Sequence, residues 1–224
     1  MALTFYYGSG SPYAWKVWLA LEHKGIPYEF KLLSFDAGDT QKPEFLKVNP
    51  RAQVPAILHD GFALFESTAA CEYLEERFPH RPLLPLEPQP RALVRRMVLE
   101  AESHMPKAGR ELMEQTLYRA KDVPEDPAKI AAAMAAMATE LARWEGYLAG
   151  GPAAGGAGGG DFLAGVLSLA DFALFPFVRI LRRLQHRLPH IKAGDSIPKG
   201  LQAWIGRIEA LPYYEKTIPP HWKG

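Results

Sequence analysis

The chain has 224 residues, 48% hydrophobic, 23% charged and 11% aromatic, the balance of a globular protein rather than a disordered or fibrous one. Lys plus Arg (26) nearly match Asp plus Glu (25), so a formal charge of +1 gives no electrostatic drive toward nucleic acid. A single cysteine, Cys71, excludes an internal disulfide, a multi-cysteine metal site and a Cys-x-x-Cys redox pair, and fits a reducing compartment. No signal-peptide pattern stands at the start, and no stretch nears the roughly 18 apolar residues of a membrane helix. The expectation is a cytoplasmic protein without membrane or nucleic-acid partners.

In chain order, Leu3–Tyr7 is a short strand-forming run. Ser11 caps a helix whose first residue is Pro12 and which Gly25 closes. Tyr28–Leu33 is a second strand, and a helical turn follows Lys42 and ends by Asn49-Pro50. Ala56–His59 and Phe62–Phe65 flank Asp60-Gly61, a two-residue hairpin signal. A helix over Ser67–Phe78 completes a β-α-β-α-β-β-α order, which implies a mixed sheet covered by helices. Pro82–Pro90 holds four prolines in nine residues and reads as a semi-extended linker. The residues thus divide into 1–81, a linker at 82–90, and a mostly helical part at 91–224.

In that second part, long helices are predicted over Arg91–Lys121 and Pro127–Leu148. Gly150–Gly160 follows, with seven glycines in eleven residues; it has neither the lysine nor the preceding strand of a phosphate loop, and its role is open. Ser168-Leu-Ala-Asp171 has the form of a capping box and opens a helix that Pro176 should kink. A last helix is predicted over Pro198–Leu211. The histidines show no metal-ligand spacing. His186 and His190, among Arg179, Arg182, Arg183 and Arg187, read as a solvated face.

Four segments together resemble the soluble glutathione S-transferase family. They are Ser11-Pro-Tyr-Ala-Trp-Lys-Val17 with Lys24-Gly-Ile-Pro-Tyr28, Asn49-Pro-Arg-Ala-Gln-Val-Pro-Ala56, Phe65-Glu-Ser-Thr-Ala-Ala-Cys-Glu-Tyr-Leu74, and Ser168-Leu-Ala-Asp-Phe-Ala-Leu174. The first is similar to the serine-type classes (theta, zeta, tau, phi). The resemblance implies an α/β thioredoxin-like N-terminal domain, an all-α C-terminal domain and a homodimer. It implies glutathione as co-substrate, no metal, and a hydrophobic electrophile as second substrate in a detoxifying conjugation.

The chemistry so implied needs a thiolate. A free thiol has a pKa of about 8.5, and lowering it by about two units requires about 2.7 kcal/mol of differential stabilisation, within reach of one or two hydrogen bonds to the charged form. Ser11, at a helix N-terminus where the dipole favours an anion, is the first candidate for that donor. Ser9 is a weaker duplicate. Tyr7, at the end of the first strand where tyrosine-type members carry theirs, is the second choice, ahead of Tyr6. By resemblance, Glu66 and Ser67 bind the γ-glutamyl group, Val54 pairs through its backbone with the cysteinyl group before a cis Pro55, and Gln53 and Lys42 (or Gln41) approach the glycyl carboxylate. Tyr13, with His104, Met105, Ala108, Leu112, Gln115 and Tyr118 on the long helix, are candidates for an electrophile pocket between the domains. Cys71, inside the third helix, reads as core packing.

Two other readings stand beside conjugation. The Gln53-Val-Pro55 segment resembles the zeta class, whose members isomerise maleylacetoacetate with glutathione, although Ser9-Gly-Ser11-Pro12 departs from their Ser-Ser-Cys start. A non-catalytic scaffold that keeps the fold is the other.

Overall fold

A computed structural model describes residues 2–120, 122–151, 155 and 158–223. By its internal contacts the chain forms two units, one of residues up to Leu84 together with those from Glu209 onward, the other Pro85–Ile208.

The first unit carries a four-stranded sheet of order β2-β1-β3-β4, with β1 Leu3–Gly8, β2 Glu29–Leu33, β3 Ala56–His59 and β4 Phe62–Phe65. β1 runs parallel to β2 and antiparallel to β3. The parallel pair requires a crossover, which α1 (Pro12–Lys24) supplies. Side chains alternate across the sheet. Leu3, Phe5 and Tyr7 of β1 are buried, with Tyr7 against Trp18 at 4.9 Å and Phe30 at 5.5 Å between ring centres. Tyr6 points the other way and packs on Phe45 of α2 (Pro43–Leu46), in a second cluster with Val48 and Ala56. α1 packs against α3 (Ser67–Arg77), and Cys71 of α3 is buried.

A buried ion pair fixes the far end of α1. Lys24 Nζ lies 2.7 Å from Glu75 and also donates to the Phe78 carbonyl, while the Glu75 carboxylate accepts from Leu83 and Leu84 N–H. Each charge is hydrogen-bonded as well as paired, the condition under which a buried pair is tolerated. Leu83 and Leu84, which fall within the expected linker, are buried.

In the second unit, α4 (Pro88–Gln115), α5 (Pro127–Leu148), α6 (Leu169–Arg187) and α7 (Lys199–Glu209, whose last residue belongs to the first unit) bury Met97, Met105, Leu112, Met137, Trp144, Phe172 and Trp204. Two expectations about α4 need correction. α4 starts at Pro88, because prolines in a first turn forgo only donors that have no partner there. It stops at Gln115, where Thr116 leaves helical geometry, so Tyr118 lies in a following turn. α6 continues through Pro176. The expected loop at Gly150–Gly160 includes residues 152–154, 156 and 157, and the expected end of the long helix at Lys121, all outside the described residues.

The chain end also departs from expectation. α8 (Tyr214–Thr217) and the turn Pro220–Trp222 lie along α1 in the first unit, not among the helices of residues 91–208. Trp15 Nε1 donates to Thr217 Oγ1 at 3.2 Å, His23 bonds the Tyr213 hydroxyl at 2.8 Å, and Lys216 pairs with Glu22 at 2.6 Å.

Candidate functional site

Beyond the β1 end of the sheet, the first unit encloses a cavity of about 470 Å³. Three chain segments supply most of its wall. The first is the start of α1. Ser11 is the N-cap, its Oγ accepting from Ala14 N–H at 3.3 Å, and Ser11 and Tyr13 both line the cavity. A serine hydroxyl has one donor and two acceptor positions, so the cap bond leaves its proton able to donate elsewhere.

The second segment is the loop before β3. Asn49 is buried and folds it: its Nδ2 donates to the Gln53 carbonyl at 2.6 Å and its Oδ1 accepts from Arg51 N–H at 3.0 Å. The Val54–Pro55 peptide is cis, and Gln53, Val54 and Pro55 border the cavity. Gly8 allows this approach, since a Cβ there would lie 2.7 Å from Val54 Cγ2 and 2.4 Å from the Phe35 ring.

The third segment is the start of α3. Glu66 and Ser67 line the cavity, with Ser67 buried and Glu66 exposed. Glu66 has φ +68°, a region that disfavours residues with a Cβ. Such strain persists where the surroundings over-determine it and gathers at functional positions. Two helix N-termini, those of α1 and α3, therefore border one cavity, each with positive partial charge and backbone N–H groups directed outward.

Six residues singled out in the sequence thus come together with Tyr13: Ser11, Gln53, Val54, Pro55, Glu66 and Ser67. Others do not. Tyr7 is fully buried, its hydroxyl has no hydrogen-bond partner of normal geometry, and burial pushes that hydroxyl far above the ordinary range, which the Gly10 backbone counters only in part. Tyr7 lies under the Trp18 and Phe30 rings and does not border the cavity. Lys42 is exposed, does not border the cavity, and is paired with Asp39 at 2.7 Å, which raises the Lys42 ammonium and draws the Asp39 carboxyl down. Of the helical candidates, Met105 and Leu112 are core, His104 and Tyr118 are exposed, Ala108 is half-buried, and Gln115 donates to Glu111. His190 is exposed and bonded to Glu125 at 2.8 Å.

Sequence reasoning did not single out Phe35, Thr40, Asn49 and Ala52, which complete the wall. Asn49 stood within a quoted motif and its turn-forming amide was the available signal. Phe35 is a lone aromatic in a polar stretch, half exposed, and no spacing marks it.

Comparison with known proteins agrees with this architecture. Residues 10–77 match the model of the glutathione S-transferase N-terminal domain and residues 127–207 that of the C-terminal domain. The chain is 33% identical over 230 residues to glutathione S-transferase A of Pleuronectes platessa, covering 98% of this chain and 92% of that protein. The crystal structure of a glutathione S-transferase from the Antarctic clam Laternula elliptica superposes with a TM-score of 0.77 at 32% identity, over 100% of this chain and 94% of that one. A shorter match, 45% identical over 84 residues, is to maleylacetoacetate isomerase of Mus musculus, covering 37% of this chain and 39% of that protein. The chain belongs to the glutathione S-transferase family and is an enzyme of its thioredoxin-like plus all-helical fold. Among the described residues no helix is long and apolar enough to cross a membrane.

Proposed function

We propose that this enzyme transfers glutathione to a hydrophobic electrophile, with Ser11 stabilising the thiolate. The observation that carries this is the shared cavity: the Ser11 hydroxyl at the N-terminus of α1 borders the same space as Glu66 and Ser67 at the N-terminus of α3. In this reading the Glu66 carboxylate takes the γ-glutamyl ammonium. Ser67 and the α3 backbone N–H groups take its α-carboxylate. The Val54 backbone pairs with the cysteinyl group and places the sulfur toward Ser11. Gln53 serves the glycyl end, without Lys42. The thiolate lone pair forms the new bond to the electrophilic carbon, and the leaving group departs with its electron pair. Tyr13 is the one electrophile-pocket candidate that borders the same cavity. The family's usual homodimer and a cytoplasmic, detoxifying role go with this reading.

The test is thiolate absorbance of bound glutathione against pH, for wild type, Ser11→Ala and Tyr7→Phe. A rise of the thiol pKa toward its free value in Ser11→Ala alone is expected. The same rise in Tyr7→Phe alone transfers the role to Tyr7. No binding at millimolar glutathione leaves a scaffold. An isomerase is the second reading, favoured by the local match to the Mus musculus isomerase; turnover of maleylacetoacetate with negligible activity on aryl halides would establish it.

A further inference from the structure

The loop that presents Ser11 is short and weakly constrained by its own sequence. It contains Gly8 and Gly10, the latter at φ +90°, and its internal bond is Ser11 N–H to the Gly8 carbonyl at 3.1 Å. Glycine brings conformational freedom, so contacts from outside the loop act with the Ser11 cap bond in fixing where its hydroxyl points.

That outside contact comes from the other end of the chain. His221 Nδ1 forms a short hydrogen bond with Ser9 Oγ, and the imidazole edge stands 3.1 Å from where a Cβ on Gly10 would lie. Trp222 packs edge-on against Trp15 of α1, 5.1 Å between ring centres. Its Nε1–H donates to His221 Nε2 at 2.9 Å. An indole N–H only donates, so Nε2 is the acceptor and the imidazole proton sits on Nδ1, donating to Ser9. The tail carrying His221 is anchored independently along α1, through Thr217, Lys216 and Tyr213.

We propose that His221 is a positioning residue of this site: it clamps Ser9 and thereby fixes the loop that aims Ser11 at the thiolate. The inference rests on the thiolate-stabilising reading of Ser11. A hydrogen bond to sulfur weakens steeply with misalignment, so a loosened loop acts on the thiol pKa and on turnover more than on the capture of glutathione by Glu66, Ser67 and the Val54 backbone.

The test compares His221→Ala, His221→Asn and Ser9→Ala in the full chain. The readouts are thiolate absorbance of bound glutathione, glutathione affinity, and turnover of an activated aryl chloride. His221→Ala and Ser9→Ala are each expected to raise the bound thiol pKa and to lower kcat by ~5-fold, the scale of one lost hydrogen bond, with the affinity for glutathione at a pH below the bound thiol's pKa unchanged within twofold. The double variant should be no worse than either single one, because both remove the same contact. His221→Asn keeps an N–H near the Nδ1 position and should restore most of the loss. An unmoved thiol pKa in both single variants overturns the proposal. So does equal loss in His221→Asn and His221→Ala, or a fall in glutathione affinity and melting temperature without a pKa change. If Ser11→Ala shifts the thiol pKa while His221→Ala does not, only this inference fails. If wild type binds no glutathione, both readings fail.

Discussion

Two serines, Ser11 and Ser168, are the N-caps of α1 and α6, and both positions carry a capping signal in the sequence. Their surroundings differ. Ser168 is buried, and Asp171 beside it is a closed hub: its carboxylate accepts from Ser168 N–H at 2.8 Å, Ser168 Oγ at 3.0 Å, Leu163 N–H at 3.0 Å and Trp204 Nε1 at 2.8 Å. Burial pushes that carboxyl up, and the four donors counter it. Ser11 makes one cap bond, at 3.3 Å, and borders a cavity. The same residue type at the same helical position is structural where every neighbouring group is satisfied inside the unit. It becomes available for chemistry where the cap opens on solvent.

The largest effect should come from breaking the closed cap. Asp171→Ala strands the Trp204 indole N–H and the Leu163 and Ser168 N–H groups in the core, and should cost about 3–5 kcal/mol in urea unfolding. A loss under about 1 kcal/mol would mean that the network is not closed. Ser11→Ala should show the opposite profile: a stability cost of about 1 kcal/mol or less, as for a peripheral cap. Its turnover of an aryl halide should fall by ~10²-fold, the scale of losing a preorganised donor to a reacting anion.

A third measurement separates pH effects on stability from those on chemistry. His23 on α1 is held down to about 4, chiefly by burial and then by the nearby Lys24 and Arg81 charges. The unfolded chain therefore binds more protons between pH 6.5 and 4, so stability is full above that window and falls as pH drops through it. After allowance for solvent screening, about 1–2 kcal/mol should be lost to this one group. Urea midpoints at pH 7.5 and 4.5 should differ less for His23→Gln than for wild type.

Glu66→Gly sharpens the view of the α3 start. Relief of a +68° φ should raise stability by about 1 kcal/mol while glutathione affinity falls, readable as a higher melting temperature with a weaker calorimetric Kd. The smallest effect is expected for Tyr7→Phe, within about 0.5 kcal/mol in stability and unchanged in thiol pKa, because it deletes a buried hydroxyl with no partner of normal geometry. A large loss of activity there would reverse the roles of Tyr7 and Ser11.

The hairpin strands Ala56–His59 and Phe62–Phe65 and the helix Pro127–Leu148 were legible to the residue, since alternation, an Asp-Gly turn and a proline start are local signals. So were the caps at Ser11 and Ser168. The start of α4 was misplaced because a cluster of prolines reads as a linker, although two of them fit a first helical turn. Most of the cavity wall was legible because its residues fall in three short motifs. Phe35 and Thr40 were not, because nothing in a polar loop tells which side chain turns inward.

What the sequence by itself determined is therefore local: which segments are strands and helices, where helices are capped, and three motifs whose resemblance to the glutathione S-transferase family implies a glutathione site. Tertiary structure decided which of two hydroxyls four positions apart, those of Ser11 and Tyr7, borders open space and which is sealed under aromatic rings. It also brought His221 to Ser9 across 212 residues of chain. Periodicity and capping act over a few residues, whereas burial and convergence depend on how distant segments pack, and no local pattern encodes that.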